Sequence, residues 1–154
     1  MFIGVGVRPV HWIVLLLGEA IVETKILGTS SGRNTRGHRF HHPQPIVLHD
    51  ADNYAPLLES EGRVIPDFNV RREAIEGQVR EISQSLGGNA LIDEDLLDDV
   101  TALAVWPMAL IHSFDERFLY LPPDARTCTM KANQKYIPVT DERGGLLPYF
   151  ITVS

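Results

Sequence analysis

Asp67-Phe68-Asn69-Val70-Arg71-Arg72-Glu73-Ala74-Ile75-Glu76-Gly77-Gln78-Val79-Arg80-Glu81-Ile82-Ser83-Gln84-Ser85-Leu86-Gly87-Gly88 carries the clearest secondary-structure signal in the chain. Asp67 has the short carboxylate that caps a helix N-terminus. Val70, Ala74, Ile75, Val79, Ile82 and Leu86 follow at spacings of three to five, and the glycine pair ends the run. Arg72, Glu73, Glu76, Arg80 and Glu81 fill the other face and predict solvated i,i+4 pairs. Asp93-Glu94-Asp95 opens a second helix, with acidic residues at the positive end of its dipole. Leu96, Leu97, Val100 and Leu103 form its expected core face, and Trp106-Pro107 stops it.

β-Rich runs surround these helices. Val10 to Leu17 reads as a central strand and Ala20 to Leu27 as a half-exposed one, joined through Gly18-Glu19 in a type II′ hairpin. Gly28 to Gln44 has little periodicity and reads as a long loop. Ile46 to Leu48 returns to a short strand, and Asp50 or Asp52 caps a short helix toward Glu59 with Pro56 near its start. Val64-Ile65 is a short extended piece. Met108 to His112 reads as a strand, Arg117 to Leu121 as extended or helical, and Met130 to Tyr136 is ambiguous. Ile137 to Thr140 and Leu146 to Val153 flank a hairpin loop at Asp141–Gly145. Mixed rather than alternating elements predict an α+β fold with a mainly antiparallel sheet and two to three packed helices, in one domain spanning 1–154. No internal repeat or low-complexity tract interrupts it.

The 154 residues carry a formal net charge of -6, with 44% hydrophobic and 22% charged residues, ordinary for a globular chain. A pI near 5.4 argues against binding bulk nucleic acid, so any phosphate contact must be local. One cysteine, Cys128, permits no internal disulfide and fits a reducing cytosol. The longest apolar run, Ile13 to Leu17, is far short of the roughly 20 residues of a membrane span. No basic region precedes the apolar residues at the start, which argues against a signal peptide. The chain begins and ends inside β-rich patterns, as a piece of a longer polypeptide would.

Against that acidic balance, Arg33, Arg36, His38 and Arg39 gather three arginines and a histidine within seven residues. Such a knot is a candidate anion site, and Gly32 and Gly37 would let backbone amides approach a ligand. A solvated loop is the simpler alternative. Lys131, Gln134 and Lys135, beside Tyr136, form a second cluster suited to a phosphate backbone and a base, or to an ordinary strand or helix edge.

Other chemistries find little support. Gly4-Val5-Gly6-Val7-Arg8-Pro9 fails as a dinucleotide fingerprint because Pro9 replaces its last glycine. P-loop and nucleophile-elbow motifs are absent, and Cys128 has no histidine close in sequence. His38 and His42 with Asp50 or Asp52 could be drawn as a metal site, and His49-Asp50 resembles the pair of HD-type phosphohydrolases. Those pairs sit on helices, whereas Pro43 and Pro45 keep this region extended. The acidic run through Asp98 and Asp99 lacks the spacing and glycine of a calcium loop. No metal ligand and no catalytic residue is assigned.

Several segments, in order, resemble the beta subunit of the bacterial two-subunit glycyl-tRNA synthetase. Arg8-Pro9-Val10-His11-Trp12 is similar to its R-P-L-H-W strand, and Thr35-Arg36-Gly37-His38-Arg39-Phe40 matches its T-R-G-H-R-F. Val64-Ile65-Pro66-Asp67-Phe68 with Arg71-Arg72, Asp93 through Leu103 with Trp106-Pro107, Met130-Lys131, Gln134-Lys135-Tyr136, and Leu146-Leu147-Pro148 with Phe150-Ile151 complete the series. Two positions depart from it. Val105 stands where Glu is usual, and Ile137 where Phe is common, so a polar contact at 105 and an aromatic one at 137 are in doubt.

The resemblance implies an internal segment of a much longer subunit, similar to the B3/B4-type domain of the phenylalanyl synthetase beta chain. It implies a cytoplasmic α2β2 enzyme that joins glycine to its tRNA. ATP and Mg would be used by the alpha subunit, with no cofactor in this segment. The implied partners are tRNA(Gly), the alpha subunit and the remaining beta-subunit domains, with no membrane. The segment itself would be non-catalytic and support tRNA binding and assembly through Arg33, Arg36, His38, Arg39, Lys131, Gln134 and Lys135. Gly37 would let the loop turn tightly and Phe40 would pack it onto the core. A subunit-interface module without tRNA contact is the alternative, with a metal-dependent phosphohydrolase or editing-like domain behind it. No editing residue matches a position here.

Overall fold

The computed structural model describes residues 10–114 and 135–154. The contacts divide the chain into two compact units that meet at Pro66 and Asp67. Strands and helices occur in both, and antiparallel pairing dominates, as expected for α+β.

The first unit is built from short strands: β1 (Ile13–Val14), β2 (Leu16–Leu17), β3 (Ala20–Ile21), β4 (Lys25–Ile26), β5 (Thr29–Gly32), β6 (Asn34–Arg36) and β7 (Pro45–Val47). A 3-10 turn, Ala51–Asn53, and helix α1 (Tyr54–Ser60) follow. The strands form a three-stranded sheet ordered β1-β5-β4 and two antiparallel pairs, β2-β3 and β6-β7. The β1–β5 pairing is parallel. Ile46, Leu48 and Leu58 make a small core, with Val14, Leu16, Leu57 and Val64 packed against it.

The expected hairpin across Gly18-Glu19 is present, pairing Leu17 with Ala20 and placing Gly18 at φ 56°. The long strands on either side are not. The run from Val10 to Leu17 yields only two two-residue strands, and Leu17 is 77% exposed, so this is no central strand. The second run breaks between β3 and β4, where the Ser31 hydroxyl donates to the carbonyls of Val22 and Thr24 and accepts from the Thr24 amide. The side chain there supplements the backbone bonds from the Val22 amide to the Leu15 carbonyl and from the Ser31 amide to the Thr24 carbonyl. The stretch read as a long loop contains β5 and β6 instead. Thr35 is buried opposite Ile46, while Asn34 and Arg36 point outward, the period-two alternation of a half-buried strand.

Leu27-Gly28 closes β4 onto β5 with both residues at positive φ, 51° and 81°. This suits a type I′ turn, in which a leucine carries the left-handed penalty that asparagine largely escapes. Leu27 is exposed and packs into no core. Leu27→Asn is therefore expected to stabilise the protein by about 1 kcal/mol, read as a higher denaturant midpoint at unchanged m-value.

The second unit contains α2 (Phe68–Ser85), β8 (Asn89–Ala90), α3 (Glu94–Leu103), β9 (Ala109–Ser113), β10 (Ile137–Thr140) and β11 (Leu146–Val153). Its sheet runs β8-β10-β11-β9, antiparallel throughout. Ile75 and Val79 of α2, Leu96, Leu97 and Val100 of α3, and Ile137, Val139 and Ile151 of the sheet form one core. Asp67 caps α2, its carboxylate accepting from the amides of Asn69 (2.8 Å) and Val70 (3.0 Å). Asp93 caps α3 through the Leu96 amide. The hairpin loop forms as expected, with the Asp141 carboxylate accepting from the Arg143 and Gly145 amides.

Two helix faces are rotated from the sequence reading. The buried ridge of α2 is Arg71, Ile75, Val79 and Ser83, while Val70 is 51% exposed. On α3, Thr101 is fully buried and Leu103 is 67% exposed. The Thr101 hydroxyl donates to the Leu97 carbonyl at 2.7 Å, which lets a polar side chain occupy the core. At the two departures, Ile137 is buried in the core and Val105 is exposed. Cys128 and the segments Arg117 to Leu121 and Met130 to Gln134 lie outside the described residues.

Candidate functional site

The basic knot begins at Arg33, directly after β5. Its guanidinium donates to the Glu19 carbonyl (3.0 Å) and, more weakly, to the Leu48 carbonyl (3.4 Å). Arg33 thus ties three segments of the first unit together. Arg36, at the end of β6, is exposed and lies over the Trp12 ring, 5.7 Å from its centroid. This is within cation–π range. A groove of about 180 Å³ beside it is lined by His11, Trp12, Asn34, Thr35, Arg36 and Pro45.

Gly37 has a different reason from the one the sequence suggested. Its φ is not in the left-handed region; space is what demands glycine. A Cβ there would stand 2.4 Å from the Gly62 carbonyl oxygen and 2.5 Å from its Cα. The next amide, that of His38, donates to the same Gly62 carbonyl at 2.6 Å. The loop is thereby fastened to the residues that follow α1.

His38 then folds the loop on itself. Its Nδ1 accepts from the amides of Phe40 and His41, both at 3.3 Å, and its carbonyl accepts from the His42 amide at 2.7 Å. These bonds require an unprotonated Nδ1. Partial desolvation, then the charges of His41 and Arg39, hold the imidazole below the usual histidine range. As pH falls, the unfolded chain takes this proton before the folded loop does. The stability from the neutral ring is therefore full above about pH 6.5 and is lost as pH drops through the folded value. Protection factors of the Phe40 and His41 amides are expected to fall at some pH below about 6.5, together with the titration of the ring followed by NMR. Protection that ignores the titration would show that the ring does not hold the turn.

Phe40 corrects the sequence reading. It is 74% exposed and packs onto no core. The Arg39 guanidinium lies over its ring, 4.7 Å from the centroid, and the His38 ring stands 5.9 Å away. Sequence reasoning also passed over Trp12, 44% exposed beneath Arg36. Its place beside His11 in an otherwise apolar run was the available signal.

The second cluster is described at Lys135 alone, since Lys131 and Gln134 lie outside the described residues. Lys135 Nζ donates to Asp99 Oδ2 at 2.8 Å. The acidic run at the start of α3 is similarly engaged. Arg72 of α2 bonds Asp98 at 2.6 Å and also Glu94, and lies 3.9 Å from Glu76. The bond to Asp98, against partial desolvation, and the bond to Glu94 raise its pKa. Among the described residues, no group of three His, Cys, Asp or Glu side chains is placed to hold a metal ion. Asp50 caps the 3-10 turn through the Asp52 amide. No helix among the described residues is long and apolar enough to cross a membrane.

The described residues thus define an α+β polypeptide that displays two cations and two aromatic rings around a pinned loop. The chain belongs to the glycyl-tRNA synthetase beta subunit family, whose model matches residues 6–154. It is 49% identical over 148 residues to the glycine–tRNA ligase beta subunit of Hahella chejuensis, covering 96% of this chain and 21% of that protein. The corresponding subunit of Actinobacillus succinogenes is 51% identical over 148 residues, with 96% and 22% covered. That of Chromohalobacter salexigens is 50% identical over 147 residues, with 96% and 21% covered. The chain spans about a fifth of the length of these curated relatives.

Proposed function

We propose that this chain is a tRNA-engaging part of a glycine–tRNA ligase beta subunit, and that Arg36 and Arg39 contact RNA phosphates. The observation that carries the reading is the exposure of both arginines on a loop pinned by the His38 amide and ring. Each rests on an aromatic ring, and no described salt bridge neutralises either one. Arg33 serves as a strut and His38 as the turn's acceptor, so both act by positioning. Lys131, Gln134 and Lys135 form the second patch, in which Lys135 would exchange Asp99 for phosphate.

On this reading the whole enzyme attaches glycine to tRNA(Gly) in the cytoplasm. An alpha subunit would supply the ATP- and Mg-dependent chemistry, and this segment would add binding and assembly. In the full synthetase, replacing Arg36 and Arg39 together by Ala is expected to raise the KM for tRNA about tenfold, ~1.4 kcal/mol, with kcat little changed. An unchanged KM in a normally folded variant would retire the phosphate contacts.

A second reading has its own support. Leu17, Ile21, Ile26 and Leu27 are exposed apolar residues of the first unit, and such surface suits contact with the rest of the beta subunit or with the alpha chain. This assembly role does not use the arginine loop and can coexist with RNA binding.

A further inference from the structure

We infer that Phe40 and Trp12 are nucleobase-stacking platforms, so that the loop takes unpaired nucleotides of an RNA rather than a duplex backbone. The inference rests on the proposed RNA contact and adds the class of RNA element recognised. Phe40 is 74% exposed at a loop tip, a position that apolar burial cannot explain. It is also preorganised. The Phe40 and His41 amides are both bonded to the His38 ring, and Gly62 holds the loop from behind. A backbone turn fixed before binding has less freedom to lose when a base lands on the ring it carries.

The arginines complete the platforms. Arg39 stands 4.7 Å from the Phe40 centroid and Arg36 5.7 Å from that of Trp12. A guanidinium occupies one side of a ring and leaves area for a base, while its remaining donors can reach the phosphate of the same nucleotide. Three residues separate Arg36 from Phe40, so the four chain steps between them span at most ~14 Å. The two ring–arginine pairs therefore lie within reach of one short strand. In an A-form helix the base faces are stacked and closed to protein rings, and only loops, bulges and ends offer them. A site meant for duplex phosphates would need the cations and not the rings.

The test uses the full synthetase with two probes: a tRNA(Gly) transcript and an RNA duplex of similar charge lacking unpaired nucleotides. Phe40→Leu is expected to weaken transcript binding about tenfold, with Phe40→Tyr within about twofold of wild type. Trp12→Leu and Trp12→Phe should behave as the same contrasting pair. Duplex binding should be unmoved by any of the four. Ultraviolet irradiation of the transcript complex should crosslink Phe40 or Trp12 to an unpaired base. Transcript affinity insensitive to both leucine variants would overturn stacking. If Arg36→Ala still weakens binding in that case, the phosphate reading survives alone; if it does not, both readings fall. Leucine variants that impair recovery of the subunit complex, with transcript affinity intact, would likewise overturn stacking and assign the rings to protein docking.

Discussion

Gly37→Ala is expected to destabilise the first unit by about 3 kcal/mol, the largest effect of any single methyl group in the basic loop. The added Cβ would overlap the Gly62 carbonyl oxygen, Cα and carbonyl carbon at 2.4, 2.5 and 2.9 Å. All three are backbone atoms, so no side chain can rotate away. Relief requires the loop and the segment after α1 to separate, which breaks the bond from the His38 amide to the Gly62 carbonyl. The turn that presents Arg39 and Phe40 would loosen with it. Hydrogen exchange should show lost protection concentrated at residues 35–42 and 58–64, with the second unit's core protected as before. Wild-type protection at His38 in the alanine variant would mean that the close approach is not what fixes this glycine.

Arg71→Met is expected to cost a similar amount, about 3 kcal/mol, in the second unit. Arg71 is 8% exposed, and its Nε donates to the Thr101 carbonyl at 2.8 Å. That carbonyl belongs to the last turn of α3, where intrahelical partners run out. The last turn of α3 contains no basic residue of its own, so a cation from α2 serves the negative end of its dipole. The Phe68 ring lies 5.7 Å from the same guanidinium. Methionine matches much of the apolar stem but leaves the carbonyl unanswered. Arg71→Lys, which keeps charge and donor but not the planar fork, should recover part of the loss. Denaturant unfolding of the three proteins gives the order arginine, lysine, methionine; a methionine variant as stable as wild type would show that water satisfies Thr101 equally well.

These two residues mark where sequence reading succeeds and where it stops. Helix α2 was legible because its cap and its apolar period are local properties, carried by Asp67 and by Ile75 and Val79. The precise face was not. Arg71 joins the buried ridge in a bond to Thr101, thirty residues away, which no local pattern announces. Strand β6 was hidden for a related reason. Asn34-Thr35-Arg36 has no apolar alternation, and only the burial of Thr35 opposite Ile46 makes it a half-buried strand. Charge clustering drew attention to the loop from 33 to 40, yet it could not separate Arg33, spent on the carbonyls of Glu19 and Leu48, from Arg36 and Arg39, which face solvent. Phe40 looked like core because phenylalanine usually is. Its exposure follows from the turn at His38, a geometry set by two backbone amides rather than by residue type.

The salt dependence of tRNA(Gly) binding to the full synthetase tests the central claim most directly. Each phosphate contact contributes roughly 0.7 to 0.9 to the slope of log affinity against log salt. Removing Arg36 and Arg39 together should make that slope shallower by about 1.5, with affinities converging at high salt. A slope identical to wild type, in a variant whose fold is intact, would contradict phosphate contact by this loop.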